Sequence, residues 1–133
     1  STYCMKLTSH FTLAEFTRSA KALKFDIDNT PTNDVINNLS MLCINVLEPA
    51  RIKYGKPIRI LSGFRCSALN TAVGGVKNSQ HLCGLAADIP YNSSLWSILH
   101  FTDFDQLILE HKGKKQWIHV SWSCNCRRQV IKL

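Results

Sequence analysis

An imidazole and a carboxylate stand seven positions apart in a stretch otherwise rich in small and apolar residues, Ser79-Gln80-His81-Leu82-Cys83-Gly84-Leu85-Ala86-Ala87-Asp88-Ile89. A second imidazole, His119, interrupts the apolar strand pattern Trp117-Ile118-His119-Val120-Ser121-Trp122. A lone histidine in such a strand is more often a hydrogen-bonded core residue than a ligand, and a lone aspartate is more often a surface or capping group. Asp88, however, lies between Ala87 and Ile89, where a buried charge is costly unless a cation or several donors meet it. His81, Asp88 and His119 account for one another if they share a metal. Two imidazoles and one carboxylate on short, stiff segments suit a catalytic Zn2+ that keeps a fourth position open.

Hydrolysis at such a centre needs a group that takes a proton from water and passes it to the leaving amine. Glu110 is the candidate base. It ends Gln106-Leu107-Ile108-Leu109-Glu110, where strand alternation puts Gln106, Ile108 and Glu110 on one face. Trp117, His119 and Ser121 share a face of the next strand. If the hairpin sets Glu110 opposite Trp117 or His119, the carboxylate and the imidazole project to the same side. The plain alternative is a strand-end glutamate beside Lys112. Arg65, in Ser62-Gly63-Phe64-Arg65, can grip a substrate carboxylate or stabilise an oxyanion; its alternative is a structural salt bridge, to Asp88 for instance. Ser79 either hydrogen-bonds substrate or shapes its turn. Gln106 and Ser121 are secondary candidates, and His10, His100 and His111 read as surface residues.

These residues need positioning elements. Thr12-Leu13-Ala14-Glu15 has the form of a capping box and predicts a helix from about Leu13 to Leu23. Pro31 suits the first position of the next helix, with Thr30 as its cap. Apolar residues at Val35, Ile36, Leu39, Leu42, Cys43, Val46, Leu47 and Ala50 follow a helical period, with Pro49 kinking or ending the last turn. Ile58–Ser62 reads as a strand, Ser67–Val73 as a short helix stopped by Gly74-Gly75, and Leu85–Ile89 as a short strand after a turn at Gly84. Leu95–Leu99 suggests a helical turn. Phe104–Glu110 and Gln116–Trp122 read as strands joined through Lys112-Gly113-Lys114-Lys115, and Gln129–Leu133 as an edge strand. Helices come first and strands dominate later, which predicts an α+β fold with an antiparallel sheet.

The chain has 133 residues, 45% of them hydrophobic and 19% charged, enough for one domain over residues 1–133 with its own core. No apolar run approaches the ~18 residues needed to cross a bilayer. The first residues, Ser-Thr-Tyr-Cys-Met-Lys, lack the charged-then-apolar pattern of a secretory signal. The expectation is synthesis in the cytoplasm. The net charge of +7 comes with no basic helix or DNA-binding motif, so a nucleic-acid partner is not expected. The lysine-rich turn reads as a solvated loop, with an acidic polymer such as a bacterial wall as the alternative partner. Six cysteines (Cys4, Cys43, Cys66, Cys83, Cys124 and Cys126) read as free thiols, with Cys43 packed as a small hydrophobe on its helix.

Ser79-x-His81-x-x-Gly84-x-Ala86-x-Asp88, followed by Trp117-x-His119, resembles the zinc D-alanyl-D-alanine carboxypeptidase family, whose relatives include phage L-alanyl-D-glutamate endolysins and vancomycin-resistance D,D-dipeptidases. His10–Phe16, Leu61–Arg65 and Phe104–Ile108 are similar to its phage-associated branch, so the resemblance covers nearly the whole chain. It implies the Hedgehog/DD-peptidase fold with helices packed on one side of the sheet. It also implies zinc on His81, Asp88 and His119, with Arg65 and Ser79 near a substrate drawn from peptidoglycan stem peptides or cross-links. An enzyme of this kind would act as a monomer on the cell wall after release or export. One departure stands out. Many family members place the catalytic carboxylate three residues before the last zinc histidine, and that position here is Gln116, which cannot take a proton. Either Glu110 supplies the base, or the chain is a silent zinc-containing module that binds walls or a protein. A dipeptidase for small D-amino-acid peptides is a further alternative.

Overall fold

The computed structural model describes residues 5–133; the expected free thiol of Cys4 lies outside them. Strands β1 (Lys6–Thr8) and β2 (Phe11–Thr12) form a small antiparallel hairpin leading into α1 (Leu13–Thr17). Glu15 does reach back, its Oε2 accepting from the Thr12 backbone N–H at 2.7 Å. The helix expected to run on to Leu23 instead breaks at Arg18, and α2 (Ala20–Lys24) starts afresh. Ser19 explains the break, because its hydroxyl accepts from the Ala22 N–H at 3.1 Å and makes a new N-cap.

The central helical segment also starts later than expected. Thr32, not Thr30, caps α3 (Asn33–Leu42), accepting from the Val35 N–H; Thr30 bonds Asp28 instead. The chain then widens into a π-helical turn, Cys43–Leu47, and continues as α4 (Glu48–Tyr54), so Pro49 neither ends nor shortens the run. Pro49 has no N–H to give the carbonyl four residues back. That carbonyl, on Asn45, accepts from the Asp103 N–H at 3.3 Å instead. The helix α5 (Ser67–Ala72), the strand β3 (Ala86–Pro90), the helix α6 (Ser93–Leu99) and the strands β4 (Gln106–Lys112), β5 (Lys115–Ser121) and β6 (Gln129–Lys132) complete the chain.

The main sheet has the order β3-β5-β4-β6. Its first three strands pair antiparallel, and β6 joins β4 in parallel. The direction of β6 follows from where β5 stops. Val120 pairs with Leu107, at the beginning of β4, so residues 122–128 need only step around that end to reach its free edge. Ile58–Ser62 is extended but not a full strand. It touches the sheet through one bridge, Ser62 to Asp88, and then peels away toward α1.

One face of the sheet is apolar. Ala87, Ile89, Leu107, Ile118 and Val120 are fully buried in a cluster with Leu39, Leu42, Val46, Leu47, Ala50, Leu95 and Leu99 from the helical segments. Cys43 belongs to this cluster, and burial pushes its thiol far up. It behaves as the small hydrophobe expected. The described cysteines are all free. No helix among the described residues is long and apolar enough to cross a membrane.

Candidate metal centre

The opposite face of the same strands carries the polar residues. Alternation places Asp88 on β3, Ile108 and Glu110 on β4, and Trp117 and His119 on β5 along a cleft of about 400 Å³. Arg65, Ser79, Gln80, His81 and Gln106 line it as well. Asp88 pairs in register with His119, and Glu110 with Trp117, the hairpin alignment that puts Glu110 and His119 on one side.

His81 reaches the cleft from a tight turn, not from the sheet. Residues Gln80–Cys83 form one 3₁₀ turn, started by the Ser79 hydroxyl, which accepts from the His81 N–H at 3.2 Å. Gly84 ends it with a φ of +74°, and a Cβ there would lie 2.8 Å from the Val35 carbonyl oxygen. Glycine therefore lets the chain turn against α3 and enter β3. Gly63 plays the matching part before Arg65. A Cβ at Gly63 would sit 2.6 Å from the Phe16 oxygen, so only glycine lets this segment press against α1. That approach aims the Gly63 carbonyl at the His81 Nδ1, 2.6 Å away. The carbonyl accepts the Nδ1 proton, so that Nε2, which here contacts Asp88 Oδ1, would present its lone pair to a bound metal.

His81, Asp88 and His119 offer ligand atoms that all lie within 4.8 Å of one another. Asp88 Oδ1 is 3.2 Å from His81 Nε2 and 3.1 Å from His119 Nδ1, and the ring centroids are 5.1 Å apart at near-right angles. Burial works to raise the Asp88 carboxyl, but its hydrogen bonds with His119 and His81 outweigh it and hold the group well below the usual carboxylate range. An ionised carboxylate between two imidazole nitrogens is the N₂O donor set of an open zinc site. These residues fit the metal.

Glu110 is 30% exposed, with Oε2 4.0 Å from His119 Nδ1 and 3.2 Å from the Trp117 indole N–H, which donates to it. Gln116 is exposed and does not line the cleft. It lies three residues from His119 on a regular strand, hence on the other face. Arg65 forms no salt bridge with any carboxylate among the described residues, and its buried Nε has no hydrogen-bond partner. Its one side-chain hydrogen bond runs from Nη2 to Ser79 Oγ at 3.4 Å. The structural salt bridge weighed for Arg65 is therefore not made. Ser79 shapes its turn and also lines the cleft. Ser121 is buried, with Oγ accepting from the Gln106 N–H, and the Gln106 side chain bonds Gln129. Of the other histidines, His111 is exposed, His10 bonds Glu48 at 2.6 Å, and His100 is half-buried with Nδ1 2.7 Å from the Trp96 oxygen.

Three partners of the site were not singled out from sequence: Trp117 as a donor to Glu110, and Gln80 with Asp105 behind His119. Face sharing on β5 was a usable signal for Trp117. Gln80 and Asp105 lie 25 residues apart and meet only through the fold.

A mixed α/β fold whose sheet and adjoining turn converge two histidines and an aspartate in an open cleft defines a candidate metallohydrolase. Residues 9–121 match the family model described as Peptidase M15, and the chain belongs to that family of zinc-dependent metallopeptidases. No curated protein matches the chain significantly.

Proposed function

We propose that this chain is a single-domain zinc peptidase that hydrolyses peptide bonds in peptidoglycan stem peptides or cross-links. One observation carries the reading: the Glu110 carboxylate, and the Arg65 guanidinium that makes no salt bridge among the described residues, line the same cleft as the His81–Asp88–His119 cluster. A zinc ion held by these three residues would supply Lewis acidity toward a carbonyl oxygen and toward water. Glu110 takes the proton of the attacking water on a carboxylate oxygen and returns it to the leaving amine. Trp117 restrains that carboxylate through its indole N–H. Arg65, whose hydrogen-bonding capacity is largely unspent among the described residues, takes a substrate carboxylate or the developing oxyanion. Ser79 steadies the guanidinium and offers its hydroxyl to the peptide.

The peptidoglycan substrate rests on the sequence resemblance around Ser79–Asp88 and on a net charge of +7, which favours an anionic wall. The enzyme acts as a monomer and meets the wall after release or export. The feature that favoured a silent module, a glutamine at position 116, loses its force because Gln116 is on the wrong face of β5. The test is to incubate zinc-loaded protein with purified peptidoglycan, defined stem peptides and D-Ala-D-Ala, and to identify products by mass spectrometry. Cleavage of wall peptides is expected. Cleavage of D-Ala-D-Ala alone would make the chain a dipeptidase, and no hydrolysis by a zinc-replete sample would overturn the enzyme reading.

A further inference from the structure

We propose that Gln80, clamped by Asp105 and Arg127, is a positioning residue that fixes His119 with its Nδ1 toward the metal cluster. The inference rests on the zinc-site reading and assigns work to three residues outside the ligand set. The two ligand histidines face the cleft with opposite nitrogens, His81 with Nε2 and His119 with Nδ1. The Gly63 carbonyl settles the matter for His81. His119 needs a corresponding acceptor behind Nε2, and the group found there is Gln80 Oε1, 3.5 Å away.

An amide by itself does not define that polarity, since it presents an acceptor at one corner and a donor at the other. Asp105 removes the ambiguity. Its Oδ2 accepts from Gln80 Nε2 at 3.1 Å, which leaves Oε1 as the end facing His119. Asp105 is itself held as an acceptor: Arg127 donates from Nε at 3.0 Å, from Nη2 at 2.9 Å and from its backbone N–H at 2.9 Å. The Asp105 backbone is tied on both sides, donating to the Ser121 oxygen at 2.7 Å and accepting from the Gln129 N–H at 2.9 Å. Donation therefore converges on Asp105: Arg127 donates from one side, and on the other the Nε2–H of His119 donates to Gln80 and Gln80 donates to Asp105, the tautomer whose Nδ1 lone pair would bind a metal. Hydrogen-bond partners behind metal-bound histidines typically govern affinity in this way. The loop at 122–128, which carries β6 to its edge, thus also braces the zinc site.

Zinc affinity, measured by chelator competition on the full chain, tests this without reference to catalysis. In Gln80→Leu the acceptor is lost, and zinc binding should weaken about 10–100-fold while the metal-free melting temperature stays close to wild type. Asp105→Asn puts an N–H₂ where Oδ2 stood, because Oδ1 must still accept two Arg127 donors. Gln80 then turns its oxygen to Asn and its N–H₂ to His119, so zinc affinity should fall by a similar factor. Adding Gln80→Glu to Asp105→Asn restores an acceptor to both neighbours, and affinity should recover most of that loss, a rescue that a merely structural role does not predict. Wild-type affinity in Gln80→Leu and Asp105→Asn, to within about twofold, would overturn the positioning role while leaving the metal site standing. Failure of the wild-type chain itself to bind zinc would instead sink the zinc reading, and this one with it.

Discussion

The two faces of one sheet divide the work of this protein, and the division falls between adjacent residues. Ile118 and Val120 are fully buried among helical side chains, while Trp117 and His119, their immediate neighbours, line the cleft. Ala87 and Ile89 flank Asp88 in the same manner. Strand geometry makes this possible, because successive side chains leave opposite faces and a shift of one position exchanges core for chemistry. The lesson concerns parity more than proximity. Gln116 is closer to His119 in sequence than Glu110 is, yet Glu110, on the neighbouring strand, shares the face of His119.

Breaking the two faces separately should give opposite phenotypes. His119→Ala should abolish detectable peptidase activity and zinc uptake while far-UV circular dichroism stays native. Ile118→Ala, one residue away, should cost about 2–5 kcal/mol of stability, read by urea denaturation, with His81, Asp88 and His119 untouched. Trp117→Phe keeps the ring but removes the indole N–H from a partly exposed carboxylate, so kcat should fall about five- to tenfold with little change in melting temperature. A smaller effect belongs to Asp105, whose carboxyl the Arg127 hydrogen bond holds down at about 2. A group depressed in the folded state stabilises fully above its unfolded value near 4 and loses that contribution as pH falls through 2. Acid unfolding of Asp105→Asn should therefore show a shallower pH dependence between about 4 and 2. Gln116→Glu should do least of all, leaving kcat/KM within about twofold of wild type, because its side chain is on the face away from the cleft.

Much of the site was legible in sequence because its residues contradict their surroundings. Asp88 and His119 stand as polar intrusions in apolar strands, and period-two alternation put Glu110 on the side of His119 once the hairpin register Glu110–Trp117, which the fold supplies, was in place. The strands β3, β4 and β5 were legible for the same reason. Local competition escaped that reading. Ser19 recaps a helix that periodicity alone would have continued, and Thr32 takes the capping role assigned to Thr30. Ile58–Ser62 has strand composition but leaves the sheet because Gly63 must reach α1. The parallel setting of β6 depends on where β5 ends. Links such as Gln80 to Asp105 join segments 25 residues apart and leave no periodic trace.

The claim most worth testing is that Glu110, and not position 116, carries the catalytic proton. The measurement is kcat/KM of Glu110→Gln on a defined stem peptide, with zinc content determined on the same sample. A loss of about 10²–10⁴-fold at full zinc occupancy is the predicted result. Activity undiminished in a zinc-replete Glu110→Gln protein would contradict the account.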